Sequence, residues 1–332
     1  MKILALTFGS ESAASSLYRV YQYIEPLARE GIELEACPAG SFERWDLLDR
    51  YDAVLIQKKL FRTGRVRFIR RRVRRLIYDV DDAIWEPHGW THHWFTRWRT
   101  RRRLHCVASL ADGCIAANGV LAAELRRHTK RAVEIIPMSL DEAVWHPAAA
   151  KSSGPLRIGW AGAPANLPYL TAIEPALLTV QRAHPEVEIV VYCGHAPDFT
   201  GGLKATHVPF QPGVEPEVVR SFDIGLLPLP DNAFAQGKSP IKGLQYMACG
   251  VAVVASPVGA TREIFQAGGT VLFAGEKSEW QAMLSRLINE AELRKQISRE
   301  ANAEFRSRYT CSKVARNLAN VFHSLIAESG GR

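Results

Sequence analysis

The chain has no apolar run long enough to cross a membrane. Its most apolar segments, "YDAVLIQKKL" and "VAVVAS", fall well short of the ~18 residues that a spanning helix needs. The opening "MKILALTFG" reads as a strand at once, and it lacks the apolar region and small-residue cleavage site of a secretory leader. Cysteine is sparse, with six residues at 37, 106, 114, 193, 249 and 311 and no Cys-x-x-Cys pair. That scatter excludes a disulfide framework and fits reduced, buried thiols in a cytoplasmic protein. The ten histidines show no zinc-type spacing with Cys or Glu. In "HGWTHHW", His88, His92 and His93 form no zinc-type spacing with an acid or thiol, so no metal site is expected. No Ser-His-Asp arrangement, short repeat or low-complexity tract stands out.

What is present is ordinary in bulk and uneven in detail. The composition, 47% hydrophobic and 23% charged, is that of a globular protein. A length of 332 residues suggests two domains. The net charge is +8, yet residues 58 to 103 carry 15 Lys and Arg against four acids, an excess of 11. The rest of the chain is therefore slightly acidic. Four tryptophans, Trp85, Trp90, Trp94 and Trp98, lie within or beside this basic segment. Arginine interleaved with indole suits an anionic membrane surface, where Trp sits at the headgroups and Arg meets phosphate. Stacking on nucleic-acid bases has the same ingredients and is the weaker reading, so no nucleic-acid partner is expected. A solvated helix with its Trp in the core is the plain alternative.

Strand-like runs alternate with amphipathic helical patterns from end to end. "KILALTF", "IELEACPA", "DAVLIQK", "RLIYDV", "DGCIAAN" and "VEIIPM" form a first set. "LRIGWAG", "VEIVVYCG", "THVPF", "DIGLLPL", "VAVVAS" and "TVLFA" form a second. Single helices are expected over "SLYRVYQYIEPLARE" and "LTAIEPALLTVQRAH". Between the sets, "WHPAAAKSSGP" is small, polar and rich in Pro and Gly, as a linker would be. The pattern predicts an α/β protein of two Rossmann-like, doubly wound parallel-sheet domains, residues 1–147 and 155–310. A C-terminal helix over 311–332 is expected to pack back on the first domain. Ligands of such sheets sit beyond the carboxyl ends of the strands, and the cleft between two such domains is the expected site.

The stretch "GKSPIKGLQYMACGVAVVASPVG" (237–259) carries the clearest chemistry. Ser239 and Pro240 read as a helix start, with Ser as the cap and Pro at the first position; Gly250 reads as the stop. The predicted helix is about ten residues long, with its N-terminus on the ligand side. Lys238 and Lys242 stand at that end, where positive charge is unfavourable unless an anion joins it. Phosphate is the expected occupant. Gln245, three residues after Lys242, projects from the same face.

This stretch resembles the donor-site helix of GT-B glycosyltransferases of the retaining family 4 type. The resemblance continues through "GWAGAPANLPYL", "FDIGLLPL", "YDVDDAIW" and "ADGCIAANGVLAAEL" and covers nearly the whole chain. It implies a retaining transferase, hexosyltransferase-like, that moves a sugar from a nucleotide-diphosphate sugar by same-face displacement. The donor would bind at Gly162, Phe210, Lys238, Ser239, Lys242 and Gln245, with Gln245 near the ribose and the diphosphate at the lysines. Asp81, Asp82 and Lys242 would be the catalytic set. The acceptor, a sugar or lipid-linked glycan precursor of polysaccharide biosynthesis, would meet Ser15, Arg19 and Asp81. Many relatives place two glutamates eight residues apart in the donor motif; here those positions are Gly237 and Gln245. The aspartates of "YDVDD" need hold no metal, because Lys238, Lys242 and the helix end can carry the diphosphate charge. No cofactor is expected. The location implied is cytoplasmic, peripheral on the inner face of a membrane. The alternatives are a sugar-nucleotide epimerase of the same fold and an inactive nucleotide-sugar-binding protein.

Overall fold

The computed structural model describes residues 1–86, 94–148 and 154–327. The first sheet contains β1 (Lys2–Thr7), β2 (Glu33–Pro38), β3 (Ala53–Gln57), β4 (Leu76–Val80), β5 (Gly113–Ala116) and β6 (Val133–Ile135). The second contains β7 (Arg157–Ala161), β8 (Glu188–Cys193), β9 (Thr206–Pro209), β10 (Ile224–Leu227), β11 (Ala252–Ala255) and β12 (Leu272–Phe273). The strand orders are β2-β1-β3-β4-β5-β6 and β12-β11-β10-β7-β8-β9, and every pairing is parallel. Helices cover both faces of such sheets, so the strands read as continuous apolar runs rather than alternating ones. β3, β4 and β11 are buried at every residue. This is the two-domain α/β architecture expected from the alternation.

The chain divides into two compact units. Unit 1 comprises residues 1–139, 232–239 and 311–332; unit 2 comprises 140–231 and 240–310. The first boundary thus falls ahead of "WHPAAAKSSGP", and Trp145 within that stretch is buried. The helix Cys311–Ala327 places Val314, Leu318, Phe322 and Leu325 in the core of unit 1, beside Ile3, Leu27 and Ile115. Residues 232–239, read from sequence as part of the second domain, group with unit 1 because Asn118 and Asp81 bond to them.

Two long helices predicted from the pattern are broken. "SLYRVYQYIEPLARE" forms Ala14–Arg19, a 3-10 turn Tyr21–Tyr23 and Ile24–Arg29. Pro26 has no N–H to give to the Gln22 carbonyl. That carbonyl instead accepts from Cys311 Sγ at 3.5 Å. "LTAIEPALLTVQRAH" likewise divides at Ile173, with Pro175 opening the second helix, Glu174–Ala183.

The topology marks the ligand ends. In the first sheet the chain lays β2 to one side of β1 and then returns to place β3 on the other; in the second it reverses between β7 and β10. Crevices open at such reversals, beyond the carboxyl ends of the flanking strands. The residues there are Phe8 onward and Lys58 in unit 1, and Gly162 in unit 2.

Candidate functional site

Unit 1 presents a buried acidic cluster after β3 and β4. Ser15 Oγ donates to Asp81 Oδ2 at 2.5 Å and accepts from Gln57 Nε2 at 3.1 Å and Lys58 Nζ at 3.3 Å. Lys58 Nζ also bonds Asp82 Oδ2 and stands 3.4 Å from Asp81 Oδ1. Asp81 Oδ1 accepts no hydrogen bond from the described residues. Burial raises the Asp82 pKa and the adjacent Asp81 charge adds to it, against Lys58 and Lys238. For Lys58, burial opposes the charge, but Asp81 and Asp82 outweigh it and its pKa rises. So Ser15, Asp81 and Asp82, chosen from sequence, do come together.

Lys58 was counted in the sequence only as part of the basic excess. Its φ of +61° is left-handed, a conformation that costs a non-glycine residue on the order of 1–3 kcal/mol and persists where surroundings impose it. Here its N–H donates to the Asp79 carbonyl at 2.7 Å while its ammonium is held by the carboxylates. The usable signal was its place immediately after β3, at the chain reversal.

Arg19 does not serve as expected. Its side chain is only 2% exposed. Nε lies 2.9 Å from both Asp79 oxygens, Nη2 lies 2.6 Å from Oδ1, and Nη1 donates to the Ile136 carbonyl at 2.5 Å. The guanidinium is a core ion pair and offers nothing to an acceptor. Burial holds the Asp79 pKa above its ordinary value even against Arg19.

The helix at the opening of the donor motif runs Ile241–Ala248, eight residues, with Pro240 in the cap position and no side-chain cap. Ser239 does not cap it; its hydroxyl donates to the Asp81 carbonyl at 2.6 Å and accepts from Asn118 Nδ2 at 3.4 Å. Gly250 ends it with φ +66°, its N–H on Met247 O and that of Val251 on Tyr246 O. Gly237 has no room for the glutamate that the resemblance would place there. A Cβ would lie 2.7 Å from Ala83 Cβ and 3.0 Å from Leu121 Cδ2. Lys238 groups with unit 1, over the Phe234 ring at 6.0 Å and within the field of Asp82.

Unit 2 carries a second polar cluster at the carboxyl edge of its sheet. Lys242 Nζ bonds Glu215 Oε1, and Gln245 Nε2 donates to Glu215 Oε2 at 3.2 Å. Gln245 is fully buried, so the side chain expected at a ribose is behind Glu215 instead. Glu215 was not picked out in the sequence; it opens a helix after β9 and has no readable signal there. Phe210 is 53% exposed, with its ring 5.7 Å from Tyr192. Gly162 lies over Trp160, whose ring carbons would be 2.4 Å from a Cβ. Tyr246, beneath, accepts from the Ala161 N–H at 3.1 Å and donates to the Leu226 carbonyl at 3.3 Å, tying β7 to β10 at the reversal. No group of three or more metal-ligating side chains occurs among the described residues.

Comparison with known proteins adds the following. Residues 176–320 match the model of a glycosyl transferase-like family. Sucrose-phosphate synthase from Thermosynechococcus elongatus superposes with a TM-score of 0.75 at 14% identity, covering 99% of each chain. HepE of Anabaena, solved in complex with UDP-glucose, superposes with a TM-score of 0.73 at 15% identity over 98% of this chain and 100% of its own. A glycosyltransferase from Rickettsia africae gives 0.67 at 12% identity, covering 99% of each. No curated protein is detectably similar. Residues 176–320 thus match a glycosyl transferase-like family, in a chain with the GT-B fold.

Proposed function

We propose that this protein is a retaining glycosyltransferase that moves a hexose from a nucleotide-diphosphate sugar to a glycan-precursor acceptor. The observation that carries the reading is the Lys242–Glu215–Gln245 cluster at the carboxyl edge of the second sheet, inside the segment that matches the family. Lys242, at the start of its helix, would leave Glu215 and take the diphosphate. Its charge then offsets the negative charge that grows on the leaving phosphate as the sugar bond breaks. Lys238, four residues earlier, is the second cation proposed for this task. Phe210 offers a ring face to the base, and Gly162 lets the donor approach the backbone.

In unit 1, Ser15, Asp81 and Asp82 would meet the acceptor. Asp82, the more exposed of the two carboxylates, would accept a hydrogen bond from the attacking hydroxyl. No metal is required in this scheme. The epimerase and the inactive binder remain the rival readings, and donor turnover with and without acceptor separates them.

The same reading places unit 1 against an anionic lipid surface. Trp94 is 78% exposed, and Phe95 and Trp98 are 51% exposed each, on the helix Trp94–Leu110. Phe95 and Trp98 stack at 5.7 Å, and Arg102 lies over Trp98 at 5.5 Å. Trp85, by contrast, is core, and Trp90 lies outside the described residues. No described helix is long and apolar enough to cross a membrane.

The test is calorimetric titration of the wild type and Lys242→Ala with UDP, GDP and ADP, followed by turnover of the matching nucleotide sugar in excess EDTA. A charge-assisted hydrogen bond is worth about 1.5–3 kcal/mol, so the variant should bind roughly ten- to a hundredfold more weakly. Unchanged affinity would refute the role of Lys242. Activity lost in EDTA and restored by Mg²⁺ would refute metal independence.

A further inference from the structure

Glu215 has two features that a simple counter-ion to Lys242 does not need. Its oxygens are divided between two partners: Oε1 faces Lys242, and Oε2 accepts from Gln245 Nε2 at 3.2 Å. Gln245 is fully buried, and its amide is directed at this carboxylate. A surface pair needs no buried amide to hold it, so the carboxylate is oriented as well as neutralised. Glu215 also keeps access to solvent, with its side chain 16% exposed, whereas Gln245 has none. Of the two, only Glu215 can touch a ligand without rearrangement.

The chemistry of that ligand group follows from the charge. An ionised carboxylate only accepts hydrogen bonds, and it repels phosphate. Its oxygens can each take one hydroxyl of a vicinal diol. The surroundings agree: Tyr192 lies within reach of the Glu215 charge, and the exposed Phe210 ring leans on Tyr192. A nucleoside stacked on Phe210 carries its diol one sugar ring away from the base and its phosphates further on.

We infer that Glu215 is the group that binds the ribose diol of the nucleotide, with Gln245 as its positioning residue and Lys242 released to the diphosphate on binding. This rests on the nucleotide-sugar reading above. It reassigns the ribose contact from the helix of the donor motif to the helix after β9. In the free protein Lys242 neutralises Glu215; with nucleotide bound, the diol hydroxyls and the diphosphate replace each other's partner.

The experiment compares ribonucleotide with deoxynucleotide binding. Calorimetry with UDP, GDP and ADP identifies the base that the wild type accepts, and the 2′-deoxy and 3′-deoxy forms of that nucleotide are then titrated. Wild type should bind each deoxy form roughly tenfold to a hundredfold more weakly, as expected for a lost hydrogen bond to a charged group. In Glu215→Ala that preference should fall to about onefold. The ratio is the readout, because removing Glu215 also frees Lys242 and so alters absolute affinity. Glu215→Gln keeps the shape and one acceptor oxygen; it should keep part of the preference, and it serves if the alanine variant is unstable. A ribose preference that survives both variants overturns the assignment to Glu215. A wild type that binds none of the three nucleotides overturns the nucleotide-sugar reading itself.

Discussion

Arg19→Met tests whether the first helix carries a ligand group or a core ion pair. The guanidinium contacts both oxygens of Asp79 at 2.6–2.9 Å, and neither side chain is more than 4% exposed. Removing one partner of a buried pair leaves the other charge without compensation and costs about 3–5 kcal/mol. For a unit of this size each kcal/mol is about 2–4 °C, so melting should fall by about 6–20 °C at pH 7. The pH dependence has a definite sign. Burial already raises the folded pKa of Asp79, and losing Arg19 raises it further. A carboxyl with a raised folded pKa contributes stability that is present below its unfolded value of about 3.9 and lost as pH rises through the folded value. The deficit of Arg19→Met should therefore be largest near neutrality and shrink as pH falls towards the unfolded value, below which Asp79 is mostly protonated folded or unfolded. Arg19→Met with Asp79→Leu should recover most of the loss, because a well-packed apolar pair can match a buried ion pair. Thermal melting of the wild type, single and double variants from pH 4 to 8 reads all three effects. A single variant that melts with wild type at pH 7, or that loses nucleotide affinity at unchanged stability, would refute the core-pair account.

Lys58→Met should make stability fall more steeply than wild type as pH rises from 4 to 8, since Asp82 already has a raised pKa and loses its cation; melting against pH checks it. Gly237→Glu should destabilise by about 1–3 kcal/mol and not raise activity, because Ala83 and Leu121 occupy the space; melting temperature and turnover report on each part. Anionic vesicles should sediment the protein at low salt, with each Lys or Arg near the surface adding about 1 kcal/mol. Binding should fade towards 1 M salt as the screening length drops to about 3 Å, and Trp94→Ser with Trp98→Ser should weaken it at any salt. Failure of anionic vesicles to bind at low salt would refute the lipid contact.

The architecture was legible in the chain because a parallel sheet buried on both faces needs apolar runs of strand length separated by helical periods. Twelve such runs can be read, and twelve strands form among the described residues. The aspartates after β4 and the lysines at the donor helix were visible for a related reason: in this topology, strand ends are ligand ends. What the local pattern could not carry was the choice of partner. Arg19 looked like an acceptor contact until Asp79, sixty residues away, proved to fill its donors. Ser239 looked like a cap until the Asp81 carbonyl claimed its hydroxyl. Gln245 looked accessible because helical spacing gives the face of a residue and not what packs against that face; Glu215 covers it. Spacing along a chain determines periodicity, and periodicity determines elements. Hydrogen bonds and charges are satisfied by whichever group the fold brings within 3 Å, and for Arg19, Lys58 and Glu215 only the tertiary structure decided which group that was.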